Sequence, residues 1–201
     1  TGYSPTSGTV FVRVQLIGGG GGSGAYSTQS QYGSNPSIQS DTHATYGGGG
    51  GAYSELWVRA SDIVSGGIAA GSGGSGGTFG ASSSSQRDGG DGGWSEFYTN
   101  FPSGGILLRA MGGQGVTGYN SASGKTGQGG TTSGAYSVLS GSYSYMSAPI
   151  LKPGMNGNAQ TYVASDARLS TIYYTSVDGG LAGDGGWYYG KGGYGSFCTA
   201  Q

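Results

Sequence analysis

The sequence predicts an all-β fold with extensive glycine-rich coil and no long helices. Glycine accounts for 49 of the 201 residues, about a quarter of the chain, against a usual share of about 7%. The clearest periodic segments alternate apolar and polar residues, as half-buried strands do, and no segment has a convincing 3.6-residue apolar period. We expect a single domain over residues 1–201, in which residues 1–8 are a linker from a preceding region or a remnant of the expressed piece.

The amount of glycine fits three classes of protein. Collagen needs glycine at every third position with abundant proline, whereas here the glycines come in runs and there are only 5 prolines. A disordered linker has few aromatic residues, whereas 12% of this chain is aromatic, including 16 tyrosines. The remaining class is an ordered fold that uses glycine for close approach of backbones, and we expect that class.

Three segments have a strong strand pattern. Residues 9–17 (TVFVRVQLI) place four apolar side chains on one face and Arg13 and Gln15 on the other. Residues 54–60 (SELWVRA) set Leu56 and Val58 opposite Glu55, Trp57 and Arg59, and residues 106–111 (ILLRAM) form a third apolar run. Weaker strand candidates are AYSVLS, SYSYMS, STIYYTSV and the context SFCTA around Cys198; the best helix-like piece, residues 164–171 (ASDARLST), is short.

Short motifs of glycine and an aromatic residue recur at irregular spacing. The tetrapeptide GAYS follows a glycine-rich run at residues 24–27, 51–54 and 134–137, and GDGGW occurs at residues 90–94 and 183–187. Asp91 and Asp184 occupy matching places in the second motif, and Asp before Gly-Gly is typical of a turn. A calcium site there is the alternative, but the nonapeptide spacing of calcium-binding β-rolls is absent.

The run at residues 47–51 (GGGGG) is predicted to be packed rather than a flexible linker. Each glycine costs roughly 0.5–1 kcal/mol more than alanine to fix in regular structure, so an ordered fold needs dense backbone hydrogen bonding to offset it. Tyr53 or Trp57 is expected to cover the glycine surface. The expected scaffold residues are Gly20, Gly49, Tyr53, Trp57, Trp94 and Trp187.

Charge and residue types argue against several functions. The eight Lys and Arg residues are spread along a chain of net charge -1, so we expect no nucleic-acid partner. The apolar runs are far shorter than the roughly 20 residues that span a bilayer, so we expect no membrane insertion. His43 and Cys198 stand alone, and the GSGGSG and SGKTG matches lack the context of nucleotide-binding loops. We therefore expect no catalytic residues, no metal and no cofactor.

Three polar inserts interrupt the glycine scaffold at residues 26–46, 118–128 and 141–160. They combine Tyr with Ser, Asn and Gln, a mixture typical of binding loops because Tyr gives a large contact at low entropic cost. Polar solvent loops with Tyr packed on glycine backbone are the alternative. The candidate contact residues are Tyr32, Asn35, His43, Tyr119, Asn120, Tyr143 and Tyr145.

Taken in order, the strands and glycine runs resemble a known family. VFVRVQLIGGGGGSGA, YGGGGGAYSELWVRA, GSGGSGGTFGA, ILLRAMGGQG and GDGGWYYGKGGYGSF are similar to the glycine-rich C-terminal domains of bacteriophage tail fibres, over roughly residues 8–197. More loosely, they are similar to the tip adhesins of T-even-like phages, in which polyglycine segments pack as polyproline-II-like helices. The resemblance implies a β-sandwich-like tip domain with polyglycine-II-like segments, mixed with strands, on a fibre shaft.

The resemblance also implies a function. A virion-borne receptor-binding adhesin at the distal tail fibre would act outside the cell, bind a bacterial surface glycan or outer-membrane protein through the inserts, and attach to the rest of the fibre. A homotrimer is expected, with a monomeric tip on a trimeric shaft as the alternative. The alternative functions are a glycan-cleaving tail-spike domain, which needs a pair of carboxylates, and a structural or ice-binding glycine-rich protein.

Overall fold

The computed structural model describes residues 2–27, 41–63, 65–77, 88–99, 105–116, 127–140, 146–157, 159–164, 174–177 and 195–198. Its strands are β1 (Gly2–Tyr3), β2 (Phe11–Ile17), β3 (Gly24–Ser27), β4 (Asp41–Tyr46), β5 (Tyr53–Arg59), β6 (Gly66–Ala69), β7 (Ser95–Thr99), β8 (Gly105–Ala110), β9 (Tyr136–Ser140), β10 (Ile150–Lys152), β11 (Ala159–Ala164), β12 (Tyr174–Val177) and β13 (Gly195–Cys198). One 3₁₀ turn, Ala60–Asp62, is the only helical element in these ranges. The all-β prediction is confirmed. Most of the helix-like piece, residues 165–171, lies outside the described residues.

A β-sandwich holds the hydrophobic core. One sheet has the strand order β1-β6-β7-β8-β9 and the other has the order β10-β5-β2, with antiparallel neighbours throughout. The predicted apolar faces of β2 and β5 point inward, because alternate side chains of a strand share a face. The buried core consists of Val14, Leu16, Leu56, Val58, Ile63, Phe97, Ile106, Leu108 and Ala110.

The first residues belong to this sandwich. Gly2 and Tyr3 form β1, which pairs with Gly67 and Gly66 of β6, and Tyr3 packs against the core. The expectation that residues 1–8 are only a linker is therefore wrong for these two residues. The strand is held because it supplies an edge to β6 and an aromatic side chain to the core.

Glycine-rich segments continue the strands into a second layer of structure, here called the glycine lattice. Within the described residues it has seven segments, 18–23, 47–52, 71–77, 88–94, 111–116, 127–130 and 153–157. Each segment bonds through its backbone to two or more others. Four segments (71–77, 18–23, 47–52 and 153–157) form one row and the other three form a second row beneath it.

The lattice hydrogen bonds repeat every three residues. Gly18 and Gly21 both donate to residues 47–52, with N···O distances of 2.9 and 2.8 Å. Gly19 and Gly22 both donate to residues 88–94, at 2.9 and 2.8 Å. This period of three is that of a polyproline-II helix, which has three residues per turn and no internal hydrogen bonds. Each segment thus satisfies its backbone through several neighbours at once.

Gly49 shows why these positions need glycine. Residues 47–51 are buried, and a Cβ on Gly49 would overlap the backbone carbonyl of Gln128. Gly20 is also buried. The packed role predicted for residues 47–51 is confirmed, and the flexible-linker alternative is excluded because neighbouring backbones occupy the space of a side chain.

The aromatic residues of the predicted scaffold differ from one another in burial and in their contacts. Tyr53 is buried, and its hydroxyl contacts Gln15 and Glu55. Trp57 lies on the outer face of β5, 40% exposed, beside Arg13 rather than over a glycine segment. Trp94 is 56% exposed and stacks with Arg109 at 5.3 Å from the ring centroid. Trp187 lies outside the described residues.

Candidate functional site: the loop end of the glycine lattice

Successive glycine segments run in opposite directions between two ends of the lattice. β2 leads into residues 18–23 and on to β3, whereas β4 leads into residues 47–52 and back to β5. The same alternation continues through the other segments. The sandwich therefore lies at one end, here called the sandwich end, and the opposite end is here called the loop end.

Three stretches outside the described residues connect segments at the loop end. They are residues 28–40, 78–87 and 117–126. The first stretch begins beyond the lattice, after β3, and the lattice segments that lead to all three are joined by backbone hydrogen bonds. Gly77 donates to Ser23, Val116 donates to Gly22, and Gly89 donates to Val116, at 2.8–3.2 Å. The lattice thus brings three chain exits and returns together although they are far apart in sequence.

Two of the predicted inserts start and finish at this end. Tyr32, Asn35, Tyr119 and Asn120 fall within them and lie outside the described residues. The third insert differs, because its residues 141–145 connect β9 to Met146, which bridges Val58 in the sandwich. Tyr143 and Tyr145 lie outside the described residues, and the residues flanking them belong to the sandwich end.

The borders of the first insert are strands, which corrects the prediction of a loop without strand structure. β4 pairs with β3 on one side and β11 on the other, so that His43 faces Ser27 and Tyr162 in register. Both β3 and β4 contact β13, which pairs with β12 in a separate two-stranded sheet. The sequence DTHATY lacks an apolar alternation, so its pairing with strands on both sides could not be read from the pattern. The third insert likewise contains β10 and the start of β11.

Residues 78–87 were missed by the sequence reasoning. The stretch reads TFGASSSSQR and connects Gly77 to Asp88 at the loop end. A serine-rich run without strand alternation, bounded by glycine segments, is the signal that would have found it. The stretch contains Phe79 but no Tyr, and the inserts were chosen for their Tyr content.

Asp91 does not form the predicted turn. It lies in the extended segment 88–94, and its Oδ1 accepts a hydrogen bond from the buried N–H of Gly115 at 2.8 Å. The Asp91 carboxylate therefore accepts the hydrogen bond of the Gly115 N–H in place of a backbone carbonyl. Asn156 does the same for Gly129 through its Oδ1, at 2.9 Å.

A row of polar side chains crosses the outer side of the three-segment row. Asp91, Gln114 and Gln128 are all exposed, one on each of its three segments, and Gln114 N–H donates to the carbonyl of Gln128 at 2.8 Å. Side chains on such segments recur about every 9 Å along the axis, since three residues rise about 3.1 Å each. This row offers hydrogen-bond donors and acceptors on a flat support.

Asp88 adds a polar atom beside the loop end. Its Oδ1 is buried, and no described residue donates a hydrogen bond to it. The described residues contain no group of three or more His, Cys, Asp or Glu side chains that could hold a metal ion. Nor do they contain a helix long and apolar enough to cross a bilayer.

The comparisons with known proteins give no relative. No protein-family model matches this chain, and neither does any curated protein or solved structure. Functional inference therefore depends on the geometry of the chain itself.

Proposed function

We propose that this chain is a non-enzymatic receptor-binding adhesin at the distal tip of a bacteriophage tail fibre. It acts outside the cell and binds a bacterial surface glycan or outer-membrane protein through the inserts at the loop end. The observation that carries the proposal is that the lattice segments that lead to residues 28–40, 78–87 and 117–126 finish side by side at one end of a backbone-bonded lattice.

The physical support is the separation of scaffold and loops. Backbone hydrogen bonds of 2.7–3.2 Å fix the lattice ends, and rigid elements that hold variable loops are the usual arrangement in binding proteins. Loop sequence can change at this end without altering the lattice, because the lattice bonds involve few side chains. Such an arrangement suits a protein whose receptor varies.

The orientation of the lattice supports the tip assignment. β1 lies in the sandwich, at the end opposite to the loop end. A shaft attached before β1 would leave the loop end distal, where it meets the host first. The homotrimer and the monomeric tip on a trimeric shaft both permit this arrangement, and sedimentation of the isolated chain distinguishes them.

The test is binding of the fluorescently labelled chain to a panel of bacterial strains. Bound strains are then stripped separately of surface polysaccharide and of outer-membrane protein, and loss of binding in one treatment identifies the receptor class. Replacing residues 28–40, 78–87 and 117–126 one at a time by Gly-Ser sequences of equal length should abolish binding while the thermal midpoint stays unchanged. Full binding by all three folded replacements would show that the loop end is not the receptor site.

The third insert needs a replacement of its own. Exchanging residues 141–145 tests Tyr143 and Tyr145 separately, because their flanking residues are in the sandwich. Release of sugar fragments from a bound polysaccharide would favour the tail-spike alternative instead.

A further inference from the structure

The outer face of the β10-β5-β2 sheet carries aromatic and cationic side chains side by side. On β2 these are Phe11 and Arg13, and on β5 they are Trp57 and Arg59. All four are exposed, Phe11 and Trp57 by 41% and 40%. They alternate along each strand with the residues that form the core.

These four residues form a two-by-two block. Arg13 is the register partner of Trp57, and Phe11 is the register partner of Arg59. The guanidinium carbon of Arg13 lies 5.7 Å from the Trp57 ring centroid, and that of Arg59 lies 5.9 Å from the Phe11 centroid. Both distances are within the range of a cation–π interaction. Each aromatic ring therefore has a cation beside it on the neighbouring strand.

Glu55 holds half of the block in place. Its Oε1 accepts from Nε of Arg13 at 2.9 Å and from Nε1 of Trp57 at 3.3 Å. Its Oε2 accepts from Nη2 of Arg13 at 2.9 Å, from Gln15 at 3.3 Å and from the Tyr53 hydroxyl. The Nη1 group of Arg13 takes no part in this pair, and the Arg13 side chain is 47% exposed. The donor and the ring are thus positioned before any ligand arrives, which lowers the entropic cost of binding.

The face is cationic although the chain is not. Among the described residues on the outer sides of β2 and β5, two cations, Arg13 and Arg59, accompany one carboxylate, Glu55, in a chain of net charge -1. Guanidinium groups bind carboxylates through paired hydrogen bonds, and the exposed faces of aromatic rings offer apolar contact with a partly negative surface. Anionic groups attached to rings with apolar faces match this set.

We propose that this outer face binds an acidic polysaccharide, with sugar rings against Trp57 and Phe11 and sugar carboxylates on Arg13 and Arg59. The site lies at the sandwich end, away from the inserts, and does not depend on the cell-binding role proposed for them. Diagonal side chains on neighbouring strands are about 7–8 Å apart, so one chain of sugars can contact both aromatic rings.

An acidic polysaccharide fits this set because its sugar rings and carboxylates repeat along one chain, as the aromatic rings and guanidinium groups do on this face. Aromatic residues and Arg are also enriched at protein interfaces, so an acidic protein is an outcome that the polyglutamate control tests. Tyr53 and Glu55, on the same side of β5, are 7% and 6% exposed, so the accessible part of the face is the two-by-two block itself.

The experiment uses the whole chain and three soluble polymers. Polygalacturonate supplies sugar rings and carboxylates, dextran supplies neutral sugar rings, and polyglutamate supplies carboxylates without sugar rings. Affinity is measured by titration calorimetry at 50 and 200 mM salt. We expect polygalacturonate to bind at least tenfold more tightly than either other polymer, with partial weakening in the higher salt.

Two variants and one matched control locate the site. Trp57→Ala and Arg59→Gln should each weaken polygalacturonate binding by about tenfold or more, a change of about 1.4 kcal/mol. Arg59→Gln leaves the Glu55 contacts intact, so it remains informative if Trp57→Ala folds poorly. Trp94→Ala removes a Trp–Arg pair elsewhere, between lattice segment 88–94 and Arg109 of the opposite sheet, and should have no effect.

Four outcomes would overturn the proposal. Polygalacturonate fails to bind, dextran binds equally well, or Arg59→Gln leaves binding unchanged. Equal binding of polyglutamate would show a general polyanion surface, such as one for an acidic protein, rather than a sugar site.

Discussion

The ring of Tyr98 lies over Gly67, its register partner on the neighbouring strand. A Cβ on Gly67 would overlap the Cζ, hydroxyl and Cε1 atoms of that ring. This pair shows that an aromatic residue covers a glycine within the sandwich. The obstacle at Gly67 is the far end of a side chain, which can rotate, whereas the obstacle at Gly49 is backbone.

Gly67→Ala is therefore expected to fold with a loss of about 1–2 kcal/mol in the free energy of unfolding, as Tyr98 gives up its packing on the strand. Urea unfolding gives the free energy, and near-ultraviolet circular dichroism reports the changed tyrosine environment. Failure of this variant to fold would mean that the ring cannot move.

Gly49→Val should prevent folding, or cost more than about 4 kcal/mol, because its side chain would occupy the place of the Gln128 carbonyl. Gly73→Ala is the matched control in the same lattice, since an added Cβ there meets nothing nearer than 3.9 Å. That variant should be as stable as the wild type or more stable by up to about 1 kcal/mol, because alanine restricts the unfolded chain. Equal effects of the two substitutions on the urea midpoint would contradict close packing at Gly49.

Asp91→Ala should cost about 1–3 kcal/mol, because it leaves the buried N–H of Gly115 without its acceptor. Asp91→Asn keeps an Oδ1 in the same place and should fall within about 1 kcal/mol of the wild type. Urea unfolding of both variants separates the hydrogen bond from the charge. A large loss in Asp91→Asn would show that the negative charge itself matters.

Glu55 should make stability fall in acid. Hydrogen bonding from Arg13, acting against burial, lowers the pKa of Glu55 to about 2 from an ordinary 4.5. A depressed folded-state pKa contributes stability above the unfolded value, and this stability is lost as the pH falls from about 4.5 through about 2. Glu55→Gln should therefore be less stable than the wild type at pH 7, and the difference should shrink at pH 3.

The comparison for Glu55 is Arg13→Gln, which removes the strongest donor to its carboxylate. In that background we expect Glu55→Gln to change the difference in stability between pH 7 and pH 3 by less, because Arg13 is the largest cause of the lowered pKa of Glu55. A constant gap between Glu55→Gln and the wild type over this pH range would mean that the Glu55 charge is not linked to folding.

The sequence predicted the sandwich better than the lattice. Alternation placed Val14, Leu16, Leu56 and Val58 on inward faces, because side-chain identity records which side of a strand is buried. Glycine has no side chain, so nothing in the run 47–51 specifies that its neighbours are residues 18–23 and 111–116. The free-energy cost of ordering five glycines predicted that this run is packed, but nothing predicted which segments it packs against.

The sequence predicted only part of the candidate site, because glycine segments do not specify their neighbours. Polar inserts rich in Tyr were visible in the sequence, but their common end depends on the direction of each lattice segment. The contribution of Asp91 was hidden because Asp-Gly-Gly is also typical of turns. The sequence placed Glu55 only as an outward-facing residue of a strand. Its five hydrogen bonds could not be predicted, because the donors on β2 reach it only when β2 and β5 pair in register.

Because the lattice hydrogen bonds repeat every three residues, the length of each glycine segment decides which neighbouring segment each of its N–H groups faces. One added or deleted residue rotates every later N–H by about a third of a turn about the segment axis. Gly21, which donates to residues 47–52, would then point toward residues 88–94, the segment to which Gly22 donates. Only changes by multiples of three preserve which neighbour each donor meets. We therefore expect the connections to tolerate insertions of any length, and the lattice to tolerate length changes only in steps of one full turn.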